Sequence, residues 1–122
     1  VGVARQYCGC LGKRANCQVL VSLTLAKGEV PVPLGLKLFL PEAWAADPER
    51  CARAGVPEEH RRAVAKTDLA LAEIDRVLAA GARFGRVVAD AGYGISAARF
   101  MSWKDAGGLS HTPGACVAPA GR

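Results

Sequence analysis

Residues 86–94 read Arg86-Val87-Val88-Ala89-Asp90-Ala91-Gly92-Tyr93-Gly94, a short apolar run that closes on a carboxylate and then meets two glycines. A run of this length bounded by turn residues reads as a buried strand, and Gly92 and Gly94 let the chain turn sharply after it. On its N-terminal side, Thr67 stands where a helix N-cap is wanted, Leu71, Ile74, Val77 and Leu78 share one helical face, and Gly81 ends the pattern. On its C-terminal side, residues 96–104 are predicted helical. Helix, strand, acid, turn, helix is the order of an α/β unit. In such units ligands gather at the carboxyl ends of strands, which is the position of Asp90.

Further upstream the period changes to two. Cys17, Val19, Val21, Leu23 and Leu25 alternate with Gln18, Leu20, Ser22 and Thr24, predicting a half-buried strand over 17–25. After Lys27-Gly28-Glu29, Leu34, Leu36, Leu38 and Leu40 alternate until Pro41, so the two runs are predicted to form an antiparallel hairpin. Pro31 and Pro33 cannot donate ladder hydrogen bonds, which makes the second strand start late or lie at a sheet edge. Between Pro41 and Lys66, Asp47-Pro48 and Val56-Pro57 break a long connection holding one short helix over 49–54. Beyond Phe100 come Gly107-Gly108, Pro113-Gly114 and Pro119 with neither period, an irregular tail.

A chain of 122 residues makes one domain. Hydrophobic residues at 51% exclude disorder throughout, and aromatics at 6% mean an aliphatic core. Sixteen Lys+Arg against eleven Asp+Glu give a formal charge of +5, which suits a polyanionic partner. The cations are scattered, as in Lys13-Arg14, Arg61-Arg62, Arg83, Arg86 and Arg99, so no single basic stripe is legible and a solvated surface is the competing reading. Ser22, Thr24, Lys27 and Lys37 interrupt the apolar region from Val19 to Leu40, leaving no run of the roughly 20 residues a membrane helix needs. The opening residues lack the order of a secretion signal, which implies a cytoplasmic, reducing compartment and cysteines as thiols. The chain opens on Val1 and its one methionine is Met101, which reads as a start inside a longer reading frame or at a non-standard start codon, the fragment being the favoured expectation.

Asp90 is the sharpest chemical candidate, because a carboxylate at a strand end is rigidly placed and offers hard oxygen ligands to a divalent cation. A turn former or helix cap is the alternative, and one carboxylate does not make a two-metal site. Cys8, Cys10 and Cys17, with Cys51, Cys116, His60 and His111 elsewhere, raise a zinc hypothesis. The spacing argues against it, since no second close pair complements Cys8-Gly9-Cys10. Gly9-Cys10-Leu11-Gly12-Lys13 lacks the spacing of a nucleotide loop, and Gly92-Tyr93-Gly94 lacks the third glycine of a dinucleotide fingerprint. Both histidines fall in unpatterned segments and are expected at the surface.

Several motifs occur together in one order. Val1-Gly2-Val3-Ala4-Arg5-Gln6-Tyr7-Cys8-Gly9, Leu11-Gly12-Lys13 and Asn16-Cys17-Gln18-Val19 open the chain. Leu38-Phe39-Leu40-Pro41-Glu42-Ala43-Trp44, Asp47-Pro48 and Ala54-Gly55-Val56-Pro57 follow, and then Val87 to Gly94. Over about residues 1–99 this resembles the core of bacterial insertion-sequence transposases with a DDE catalytic domain.

The resemblance implies an α/β, partly ribonuclease-H-like fold: an antiparallel hairpin, a helix, and the strand carrying the second catalytic Asp. Residues 1–99 are then part of the transposase domain and 100–122 an irregular tail, for which a frameshift or truncation near residue 100 accounts. Asp90 maps onto the second of two Asp and one Glu that in the family hold two divalent ions, Mg2+ or Mn2+, for attack on a DNA phosphodiester. The first Asp falls upstream of the motif beginning at Val1 and the Glu downstream of Gly94. The expectation is therefore a fragment, inactive and without a metal when alone, whose parent cleaves and joins DNA at transposon ends as a homo-oligomer in the bacterial cytoplasm and nucleoid. Arg5, Lys13 and Arg14 are candidate DNA contacts. A non-catalytic basic nucleic-acid-binding remnant is the alternative. Because the family's first strand lies centrally in its mixed sheet, the strands over 17–25 and 86–90 are expected to lack a ladder partner and the product to be marginally stable.

Overall fold

The computed structural model describes residues 1–84, 86–89 and 116–119. Its strands and helices are β1 (Ala4–Cys8), β2 (Lys13–Cys17), β3 (Leu20–Lys27), β4 (Val30–Leu38), α1 (Glu42–Ala45), α2 (Pro48–Arg53), α3 (Lys66–Ala79), β5 (Arg86–Ala89) and β6 (Cys116–Pro119), with a 3-10 turn over Glu58–His60 before α3. This is a mixed α/β chain. The described strands pair as three two-stranded sheets, β1 with β2, β3 with β4 and β5 with β6, rather than as one mixed sheet. The chain divides into two compact units, Val1–Ser22 with Leu36–Ala65, and Leu23–Gly35 with Lys66–Arg122.

In the first unit, β1 and β2 form an antiparallel ribbon with Ala4 opposite Cys17, Tyr7 opposite Arg14 and Cys8 opposite Lys13. Its four-residue turn closes through Leu11 N to Cys8 O at 3.1 Å, and Gly12 completes it at φ +62°, a conformation side chains disfavour. Ala4, Gln6 and Cys8 are half-buried while Arg5 and Tyr7 are exposed, the alternation a one-sided ribbon requires. Gln6 Nε2 donates to Cys17 O at 2.7 Å and pins the strands from the covered side.

The core of this unit is Leu40, Trp44, Cys51 and Val56. Asp47 caps α2 by accepting from Arg50 N at 2.9 Å, with Pro48 preset for the first helical position. Gly55 at φ +75° ends the helix so that Val56 N reaches Cys51 O at 2.9 Å, returning Val56 to the cluster. Trp44 fills the centre and donates from Nε1 to Val3 O at 2.9 Å, which ties α1 to the chain entering β1. The Arg50 guanidinium lies 3.9 Å from the Trp44 ring centroid.

In the second unit, Leu71, Ile74 and Val87 form the buried cluster, joined by Leu23, Ala70, Leu78 and Phe84. Ile74, 2% exposed, contributes about 1.5–3 kcal/mol by leaving water. Gly81 at φ +98° ends the helical run, and Ala82 N bonds Val77 O at 2.9 Å. Arg83 Nη1 donates to Ala82 O at 2.8 Å and Leu78 O at 3.2 Å, a cation where the helix dipole is negative. Glu73 is buried on the same helix, and Arg76 Nη2 donates to its Oε2 at 2.9 Å and to Leu34 O at 2.8 Å. Gly35 leaves the room for that carboxylate: a Cβ there would collide with Glu73 Oε2 and lie 3.1 Å from Arg76 Nη2.

The helix over 49–54 is present as α2 and the strand before Asp90 as β5; the helix expected after Thr67 is present as α3, but it begins at Lys66, so Thr67 is a helical residue and not the N-cap. The predicted strand 17–25 divides instead: Cys17 ends β2, and β3 begins at Leu20. In β3 the inward alternation of Val21, Leu23 and Leu25 holds. The second strand does not start late. It runs from Val30 through Pro31 and Pro33, tolerated because a two-stranded sheet has no interior position.

β5 has a ladder partner that the sequence does not announce. Arg86 to Ala89 pair in parallel with Cys116 to Pro119, so the tail expected to be irregular contains a strand at these four residues. The helix predicted over 96–104 and the Gly92–Gly94 turn lie outside the described residues. The tight fit at Gly35 predicts that Gly35→Ala lowers stability by about 1–3 kcal/mol in urea unfolding; an unchanged midpoint would show that the Glu73 carboxylate can swing aside. Trp44→Phe keeps an aromatic ring and removes the bond to Val3 O, so it should cost about 0.5–1.5 kcal/mol in the same assay.

Candidate functional site

The basic residues singled out in the sequence fall on one ribbon. Arg5 is in β1 and Arg14 in β2, and Arg14 Nη2 donates to Arg5 O at 3.2 Å, laying its guanidinium across the strands. Arg5 pairs with Asn16 and Arg14 with Tyr7, so by strand alternation these four occupy the exposed face. Lys13 pairs with Cys8 at the turn end and belongs to the opposite set, so the structure brings Arg5 and Arg14 together and sets Lys13 apart. Tyr7, 63% exposed, and Asn16 were not singled out as binding residues. The signal that finds them is the parity of the two short strands, not composition.

The second unit holds a groove of about 770 Å3, lined by Leu23 to Lys27 of β3, Leu34, Arg83, Phe84 and Arg86 to Val88 of β5. Consecutive residues of a strand alternate between its faces, so a cavity lined by five in a row follows the strand edge rather than one face. Lys27, Arg83 and Arg86 place three cations on its apolar walls. An extended anionic chain is the chemistry these walls suit. Arg83 and Arg86 are legible in the sequence only as scattered charges, and their assembly here depends on the turn after α3.

Asp90, next in sequence after Ala89 of β5, lies outside the described residues, so its proposed role as metal ligand is untouched by the geometry. Among the described residues no group of three or more His, Cys, Asp or Glu is placed to hold a metal ion. Cys8, Cys10, Cys17, Cys51 and His60 are not brought together in such a group; His111 and Cys116 have no described side chains. Glu73 is the buried acid of α3, and its hydrogen bond and charge raise the pKa of Arg76, an interaction that locks the helix rather than opening a ligand. The described residues thus do not by themselves supply a divalent-ion site. His60 is exposed, as expected, in the 3-10 turn. No described helix is long and apolar enough to cross a membrane.

No curated protein and no solved structure matches the chain. A family model does: the one described as DDE superfamily endonuclease matches residues 1–102, which takes in both strand ribbons, the Trp44 cluster, α3, β5 and the block ending at Gly94. DNA is the substrate that this family implies, and its members generally use divalent metals. With most of its length matched in this way, the chain belongs to the DDE superfamily of endonucleases.

Proposed function

We propose that the chain is a central stretch of the catalytic domain of a bacterial insertion-sequence transposase. Residues 1–99 contribute to a ribonuclease-H-like fold and residues 100–122 follow it. The observation that carries this reading is the family match over residues 1–102, which includes the motifs of both ribbons and the block around Asp90 in one order. Asp90 serves as the second of the three catalytic acids, and the parent protein, working with Mg2+ or Mn2+, cleaves and joins DNA at transposon ends. Arg5, Lys13 and Arg14 contact that DNA, and the cations of the β3–β5 groove add to the attraction. One acid of three leaves the chain without cleavage of its own. The parent acts as a homo-oligomer on the nucleoid in the cytoplasm.

A non-catalytic basic binder is the second reading, favoured by the exposed cations of the β1–β2 ribbon. The two readings share DNA binding and part over the parent's chemistry.

In the parent protein, Asp90→Ala should abolish strand cleavage and leave DNA binding largely intact; a cleaving variant removes Asp90 from the catalytic set. The 122-residue chain should retard supercoiled plasmid at low salt and leave it uncut in magnesium, so cleavage by the chain alone would overturn the proposed inactivity. Replacing both Arg83 and Arg86 by Ala should reduce the slope of log affinity against log salt by about two, measured by fluorescence anisotropy. An unchanged slope would take the groove out of the DNA interface.

A further inference from the structure

The β1–β2 ribbon carries more than scattered charge. Its outer face holds Arg5 opposite Asn16 and Tyr7 opposite Arg14. Opposed side chains in an antiparallel pair stand about 5 Å apart, so the four form a compact two-by-two patch. The reverse face, Ala4, Gln6, Cys8, Ala15 and Cys17, is half-buried, which fixes which side is presented to solvent. No Asp or Glu occurs before Glu29, so nothing in the ribbon, its turn or the strand that follows opposes an approaching polyanion.

We propose that this face reads duplex DNA from within the major groove, with Arg5, Arg14 and Asn16 reaching base edges and Tyr7 packing against the groove wall. The proposal rests on the DNA-processing reading above. A two-stranded ribbon fits a B-form major groove about 12 Å wide, and guanidinium and carboxamide groups are the donors that pair bidentately with guanine and adenine edges. Ribbons of this kind are an established class of DNA reader. The bond from Arg14 Nη2 to Arg5 O uses one donor of the fork and orients the rest, so the patch meets the groove partly preorganised. Lys13, in the opposite set beside the turn, stays outside the groove.

The test titrates the full chain at low salt with a mixed-sequence DNA duplex and with a duplex RNA of the same sequence, read by fluorescence anisotropy, with circular dichroism verifying that each variant is folded. Tyr7→Ala and Asn16→Ala should each weaken DNA binding about tenfold with the salt slope unchanged. Arg5→Ala and Arg14→Ala should each weaken it about tenfold or more with the slope little changed, because a contact to a base edge neutralises no phosphate. Lys13→Ala should have the smallest effect, and duplex RNA should bind poorly because its deep, narrow major groove does not admit a ribbon. Equal losses from Lys13→Ala and Arg14→Ala, or equal affinity for RNA, would overturn the proposal by showing that charge alone binds. Tight DNA binding that survives all four face variants removes the ribbon but leaves the DNA reading standing. No DNA binding by the wild-type chain removes both.

Discussion

A carboxylate that is 3% exposed has to be paired, and the second unit is organised around how Glu73 meets that demand. Arg76, one helical turn on, closes over it and extends the same guanidinium to Leu34 O, so a charge on α3 is held by the backbone of β4. Gly35 provides the clearance. With the helix seated in this way, Leu71 and Ile74 meet Leu23 and Val87, and β5 acquires a wall to pack on. Removing Arg76 would take its guanidinium from the buried carboxylate and its bond from Leu34 O, and breaking a buried pair costs more than the pair's own net contribution. The arrangement specifies position more than it adds stability.

What was legible in the sequence follows from where the periodic signal is strong. Leu71, Ile74 and Val77 announce α3 because burial on one face sets the spacing of apolar residues. Asp47-Pro48 announces α2 because cap and first-turn proline are local chemistry. The ribbon escaped reading as an element because Arg-Gln-Tyr and Lys-Arg-Ala-Asn alternate in burial without alternating in polarity; Gln6 and Ala15 face inward with no apolar mark. Glu73 escaped for the opposite reason, an acid inside an apolar face whose partner is set by tertiary contact. β6 has no pattern of its own and exists as a strand through pairing with β5. Of the candidate site, Arg5 and Arg14 were legible as residues and their joint orientation was not.

Two cationic features suit one chemistry in different ways. The groove beside β3 and β5 combines Lys27, Arg83 and Arg86 with Leu, Val and Phe walls, suited to an extended chain held loosely along a strand edge. The ribbon presents directional donors on a rigid ladder, suited to discrimination rather than attraction alone. A DNA-processing domain needs both, since phosphate contacts set register and base contacts set address. Leu20, Val30, Val32 and Leu36 are exposed on the β3–β4 hairpin.

The alternation that puts Arg5, Tyr7, Arg14 and Asn16 on one side also gives the ribbon a parity. Inserting or deleting one residue between Ala4 and Cys8 turns every later side chain of that strand to the other face and drives a guanidinium toward the covered side. Changes of two residues keep the faces and alter only reach. Length variation among descendants of this sequence is therefore quantised: the tip beyond Cys8 and Lys13 can grow or shrink freely, while the ladder itself tolerates change only in pairs.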